Sequence, residues 1–351
     1  MTPRVLLPAV LSAVLAAGGS AHADTAINFF GDLDYYVDKG DTMTNSFKAA
    51  TLDIFASQTE GKFGFIGEVI VEALGSNEFT IDVDRLEANY QPRPWLRFRA
   101  GRIRSSFGYY ADAYQNGKFF MLPVSWPDMY EAPAFDGVVP AHAIGVHGDV
   151  AYGLGEGNGK LTLDAEILNG RGIDVGEVPA FQDANETKAL NLRLRYVGDG
   201  HLGGLIVGGN VYVDQIPQDD TPEVEHPAMH ELILAGHLVY VADRVHFVSE
   251  LAWIRHRENG TDMLHHTTAF FAEGGYEFGD YTPYLRYENT QFSDQDPYFT
   301  TSGIESQDSQ RLSVGVKYAA SASVAFKVQA AVTVDEVDTD YNATAQAAFA
   351  F

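Results

Sequence analysis

Cysteine is absent from the 351 residues, so no disulfide framework holds this chain together. Basic charge is scarce: 23 Lys and Arg stand against 48 Asp and Glu, a formal charge of −25. That balance argues against a nucleic-acid partner, because phosphate backbones need a basic face. Long apolar runs are also missing beyond the N-terminus. No later stretch reaches the roughly 18 consecutive apolar residues of a transmembrane helix, so a membrane, if crossed, is crossed by strands. A mean hydropathy of −0.12 is too polar for a helical membrane protein and suits a sheet with one wet face and one greasy face.

What is present lies first at the two ends. Residues 1–23 combine Arg4, an apolar stretch from Val5 to Ala17 and the small-x-small triplet Ala21-His22-Ala23, the pattern of a cleaved secretory signal peptide. The mature chain is then expected to run from Asp24 as one unit, 24–351. At the other end, Ala343, Ala345, Ala347, Phe349 and Phe351 share one face of a period-two segment that stops on an aromatic.

Between these ends, about sixteen segments of near-ten-residue length alternate apolar and polar side chains, the length a tilted strand needs to cross a bilayer. They fall at 25–37, 47–58, 62–73, 79–91, 95–104, 141–152, 159–169, 187–197, 203–214, 229–241, 244–257, 265–278, 280–292, 309–319, 322–335 and 342–351. In one of them Leu190, Leu192 and Leu194 oppose Asn191, Arg193 and Arg195; in another Leu312, Val314 and Val316 oppose Arg311, Ser313 and Lys317. Alternation alone does not say which face is inside, because a soluble sandwich also alternates.

The connections discriminate. Short turns at 60–61, 92–94, 154–158, 198–202, 242–243, 279–280 and 320–321 interleave with longer links at 38–46, 105–140, 170–186, 216–228, 258–264, 293–308 and 336–341; the brief link 74–78 is the exception. Short turns on one rim and long loops on the other are the asymmetry of outer-membrane barrels. Aromatics, 12% of the chain, recur near the strand ends, as interfacial girdles require. The expected fold is therefore all-β, a transmembrane antiparallel barrel of about sixteen strands.

Segment 105–140 is too rich in aromatics to be merely solvated, and its Asp112, Asp128, Glu131 and Asp136 outweigh Lys118. Just before it, Arg97, Arg99, Arg102 and Arg104 stand against Leu96, Phe98 and Ala100. An Arg facing lipid near the midplane costs about 2–4 kcal/mol, so in a membrane strand these belong inside, with Gly101 marking a bulge that keeps Arg102 inward too. Arg193, Arg195, Arg286, Arg311, Lys317 and Lys327 fall on polar faces by the same test. A basic wall facing carboxylates on an inserted loop sets a transverse field that orients charged solutes.

The motifs Gly101-Arg102, Phe107-Gly108-Tyr109-Tyr110, Ala113-Tyr114, Gly117, Pro127, Gly137 and Pro140-Ala141-His142-Ala143-Ile144-Gly145 resemble a segment of Gram-negative outer-membrane porins, including relatives of phosphate-selective porins. The terminal Phe351 strand is similar to the signal read by the barrel-assembly machinery. The resemblance implies export to the outer membrane, contact with its lipid, a possible homotrimer, a third external loop folded into the lumen, and passive diffusion of small hydrophilic solutes. A lysine or arginine ladder on the loop, which phosphate selectivity requires, is not there: Lys118 stands alone.

Other chemistries fit less well. His226, His230, His256, Asp262, His265 and His266 would need three or four converging ligands to hold zinc, and the expectation is no metal and no cofactor. Ser249 and His246 are three apart in one strand, hence on opposite faces, so no hydrolase pair is expected and the chain is read as a non-enzyme. A plugged barrel with a structural or adhesive role is the alternative, with an outer-membrane hydrolase behind it.

Overall fold

The computed structural model describes residues 24–39, 43–48, 51–74, 78–114, 117–131, 137–173, 175, 185–221, 224–293, 296–301, 308–336 and 338–351. The segment 1–23, expected to be a signal peptide, and Asp136 lie outside them. The strands are β1 (Asp24–Lys39), β2 (Met43–Lys48), β3 (Leu52–Glu60), β4 (Phe63–Leu74), β5 (Glu78–Arg93), β6 (Leu96–Arg104), β7 (His142–Gly153), β8 (Lys160–Leu168), β9 (Ala189–Val197) and β10 (Leu205–Ile216). After a small hairpin of β11 (Asp219–Thr221) and β12 (Val224–His226) come β13 (Met229–Ala242), β14 (Val245–Glu258), β15 (Leu264–Tyr276), β16 (Tyr281–Gln291), β17 (Ser309–Ala319), β18 (Val324–Val334) and β19 (Thr339–Ala350). Three short helices, α1 (Tyr110–Ala113), α2 (Asp128–Glu131) and α3 (Pro297–Thr301), sit in the long links.

All barrel pairings are antiparallel, and β19 returns to β1 from Phe30↔Ala350 to Lys39↔Tyr341, which closes the sheet. β2 and β3 both lie against β1, the first opposite its C-terminal half and the second opposite its N-terminal half. They are two pieces of one stave, so the seventeen strands of the sheet form a sixteen-stave barrel. Where the sequence predicts one strand over 47–58, two are described, β2 ending at Lys48 and β3 starting at Leu52. The helices and the β11–β12 hairpin also add structure to links that carry no period-two signal, because elements of three to five residues are too short to show one.

The faces are inverted relative to a soluble protein. Along β9, Leu190, Leu192 and Leu194 are 47%, 52% and 56% exposed, while Asn191 and Arg193 are buried. Along β16, Leu285 and Tyr287 are exposed while Arg286 and Glu288 are buried, and β18 exposes Phe326 and Val328 while burying Lys327 and Gln329. A sandwich would bury the leucines and expose the arginines.

Two register shifts occur in β5, at its pairing with Glu68/Val69 of β4 and between Tyr90 and Arg93 opposite β6. The first leaves consecutive residues, Asp84 and Arg85, both buried. Gly101 does not mark a bulge: Glu87, Gly101 and Gly145 stand in unbroken register. Its φ is +125°, and a Cβ there would lie 2.1 Å from the Leu86 carbonyl oxygen, so close backbone approach explains the glycine. Arg102 consequently falls opposite Leu86 and Ile144, in step with Phe98 and Ala100 rather than with Arg97 and Arg99.

Candidate functional site

The interior side chains of β4 to β9 form a lattice of paired charges. Arg97 Nε donates to Asp149 at 2.8 Å, Arg99 lies 3.5 Å from Glu87, and Arg193 Nε donates to Asp164 at 3.0 Å. His147 meets Glu166 at 2.8 Å and lies 3.4 Å from both Asp149 and Asp164. Arg104 pairs with Asp84 at 2.7 Å and with Glu68 at 3.6 Å, while Arg85 also bonds to Glu68. Arg102 reaches Asp82 at 3.2 Å. His147, Asp149 and Asp164 have the spacing of a cation site, but Arg97, Arg99 and Arg193 already supply the positive charge there.

The described part of segment 105–140 bonds to this lattice and to walls far from it in sequence. Ser105 Oγ and the Ser106 N–H donate to Glu166 at 3.0 and 2.8 Å. The Gly108 N–H donates to Asn210 of β10, and Arg193 Nη1 donates to the Gly108 carbonyl. Glu250 of β14 accepts from the Tyr109 and Tyr110 N–H groups and from the Tyr130 hydroxyl. Arg286 of β16 donates to the Ser125 and Trp126 carbonyls, and Lys327 of β18 to those of Lys118 and Pro123. Gln346 of β19 donates to the Val124 carbonyl, and Lys118 meets Asp32 of β1 at 3.2 Å. Backbone polar groups in an irregular segment need partners when buried, and here wall side chains provide them.

Most residues expected at the site are thus brought together, in three groups. Asp112 bridges Arg193 at 3.1 Å and Arg195 at 3.4 Å. Asp128 accepts from Arg311 at 2.8 Å, and its N–H donates to Glu288, itself 3.0 Å from Arg286. Lys317 and Lys327 donate to loop carbonyls, of Phe119 for the first. Glu131 ends α2, but its side chain lies outside the described residues. Burial alone would raise the Asp112 carboxyl; the guanidinium groups of Arg193, Arg195 and Arg99 outweigh it and hold that carboxyl well below the usual range. Burial pushes the Tyr109 hydroxyl up to about 12, so it stays protonated.

Sequence reasoning missed Glu166, Asn191, Asn210, Glu250 and Gln329, which also bond the loop. Glu250 carried a signal: it is the one charged side chain between inward Val248 and Ala252, where an apolar residue continues the pattern. The histidines do not converge. His256 lies between Glu231 and Asp296, His265 meets Glu258, and His226 bonds the Ile173 carbonyl, while exposed His230 and His266 occupy the opposite face. Ser249 donates to the Phe271 carbonyl and His246 pairs with Glu277, so the two are engaged separately.

No family model and no curated protein matches this sequence. The fold, however, is similar to that of solved structures. OmpF of Salmonella typhi, in complex with daunomycin, aligns with a TM-score of 0.65 at 12% identity over 93% of this chain and 97% of its own. The outer membrane channel DcaP of Acinetobacter baumannii aligns at 0.64 and 12%, over 94% and 97%. An anion-selective porin from Comamonas acidovorans aligns at 0.63 and 9%, over 94% and 100%. The chain therefore has the fold of Gram-negative outer-membrane porins along its barrel.

Proposed function

We propose that the protein is an outer-membrane porin, a passive diffusion channel for small hydrophilic or charged solutes. The carrying observation is the inversion of the barrel: leucines and phenylalanines face outward while arginines and carboxylates face one another within. Lipid would solvate the first set, and the second would line a polar conduit. Segment 105–140 is read as folded into the lumen, narrowing it. Its bonds to Asp32, Glu166, Arg193, Glu250, Arg286 and Gln346, which belong to staves all round the barrel, support that reading.

The solute path then passes Arg97, whose side chain is 38% exposed, and the Asp112 bridge to Arg195. Export through a cleaved 1–23 leader, assembly through the terminal Phe351 strand and a homotrimeric state belong to the same reading, as does the absence of catalysis. Planar-bilayer recording tests it. Purified protein should give discrete ohmic conductance steps, and Arg97→Ala with Arg99→Ala should move the reversal potential in a salt gradient toward cation preference. A barrel that inserts but carries no current would leave the structural or adhesive role instead.

A further inference from the structure

The outer wall carries a second charged feature, where a membrane barrel should be apolar. Arg255 and Arg257 of β14 lie on the exposed alternation with Leu251 and Trp253, not on the inward one with Ile254 and His256. Register sets Arg255 between Leu232 and His266, and Arg257 between His230 and Leu264. Between the side chains of Val213, His230, Leu232, Arg255 and Arg257 is a cavity of about 320 Å³. The carboxylates at its floor, Asp214 and Glu231, turn inward to the Arg171 N–H at 2.6 Å and its guanidinium at 3.0 Å. Among the described residues neither Arg255 nor Arg257 meets a carboxylate, and Arg255 Nε is buried without a hydrogen-bond partner.

Height decides what such a group meets. From Val245, beside the short turn, a strand tilted at about 40° climbs about 25 Å along the barrel axis by Arg255, the height of the apolar band. Trp253, stacked on His266 at 5.3 Å, sits just below, where interfacial rings belong. Two guanidinium groups at headgroup level, above an exposed apolar wall of Leu234 and Leu251, match a phosphate joined to acyl chains. We propose that this patch binds the phosphate of a phosphorylated lipid in the leaflet on the long-loop side, with the chains lying along Leu232, Leu234 and Leu251. The inference rests on the reading of the exposed apolar face as lipid-facing.

Native mass spectrometry of the purified full-length barrel in a neutral maltoside micelle tests it, with three additives: bis-phosphorylated lipid A, the same lipid dephosphorylated, and inorganic phosphate. Wild type should retain phosphorylated lipid A, with retention weakened about tenfold on dephosphorylation or in R255Q/R257Q. Inorganic phosphate at equal concentration should not displace it. Equal retention of the dephosphorylated lipid, or by R255Q/R257Q, overturns the proposal. Displacement by inorganic phosphate marks a free-anion site and overturns the lipid assignment. A changed number of protomers per particle at unchanged lipid retention makes the patch a contact between copies, and does the same. R255Q/R257Q should keep wild-type conductance, since both residues lie outside the barrel; if only the pore reading fails, wild type carries no current yet still retains lipid by its phosphate.

Discussion

Arg286 and Arg97 are both interior arginines, yet they should behave oppositely on removal. Arg286 is fully buried and serves Glu288, Ser125 and Trp126. Arg286→Ala leaves Glu288 uncompensated next to Glu273, and breaking such a buried pair costs about 3–5 kcal/mol. Urea unfolding of the folded protein in micelles should show that loss. Arg97 has one carboxylate partner and an open side, so Arg97→Ala should cost less than about 1 kcal/mol while changing ion preference. Asp112 adds a pH test. Its carboxyl is held below the free value of 3.8, so its pairing is fully present above that value and lost as pH falls through the lower folded one. The conductance ratio of Asp112→Asn to wild type should stay constant from pH 7 to about 4 and approach unity only in stronger acid.

At the scale of the strand, backbone contact sets the tightest limits. At Gly101 a side chain would need a φ of +125° and would strike the Leu86 carbonyl, so Gly101→Val should cost at least about 2 kcal/mol. The fraction migrating as heat-modifiable folded barrel on electrophoresis should drop accordingly. Strands were legible in the sequence because lipid and lumen impose opposite demands on alternate residues, as Leu190 to Arg195 display. The irregular elements were not: α1 and α3 are held by single side chains such as Glu250 and Asp296, whose partners lie 140 and 40 residues away. The bulge expected at Gly101 was misjudged for a related reason. Gly101 signals either a bulge or a close approach, and only the register of Glu87 and Gly145 separates them.

For the whole molecule, closure is the event that matters. Phe351 exchanges both backbone bonds with Phe29, at 2.6 and 2.8 Å, beyond the last residues of the β1–β19 ladder. Removing Phe351 deletes those bonds and the terminal aromatic, and should lower the amount of assembled protein in outer-membrane fractions several-fold while refolding in detergent is reduced much less. The charged interior was readable as a face but not as a set of pairs, since Arg193 meets Asp164 only through the β8–β9 register and Asp112 only once the insert is docked.

The insert that hangs from β6 grips both sides of that seam, through Lys118 to Asp32 on the first stave and through the Val124 carbonyl to Gln346 on the last. A half-rolled sheet therefore offers it only part of its dock. Under the pore reading proposed above, two of the bonds that would size the aperture span the closing seam, which would tie permeability to closure of the barrel.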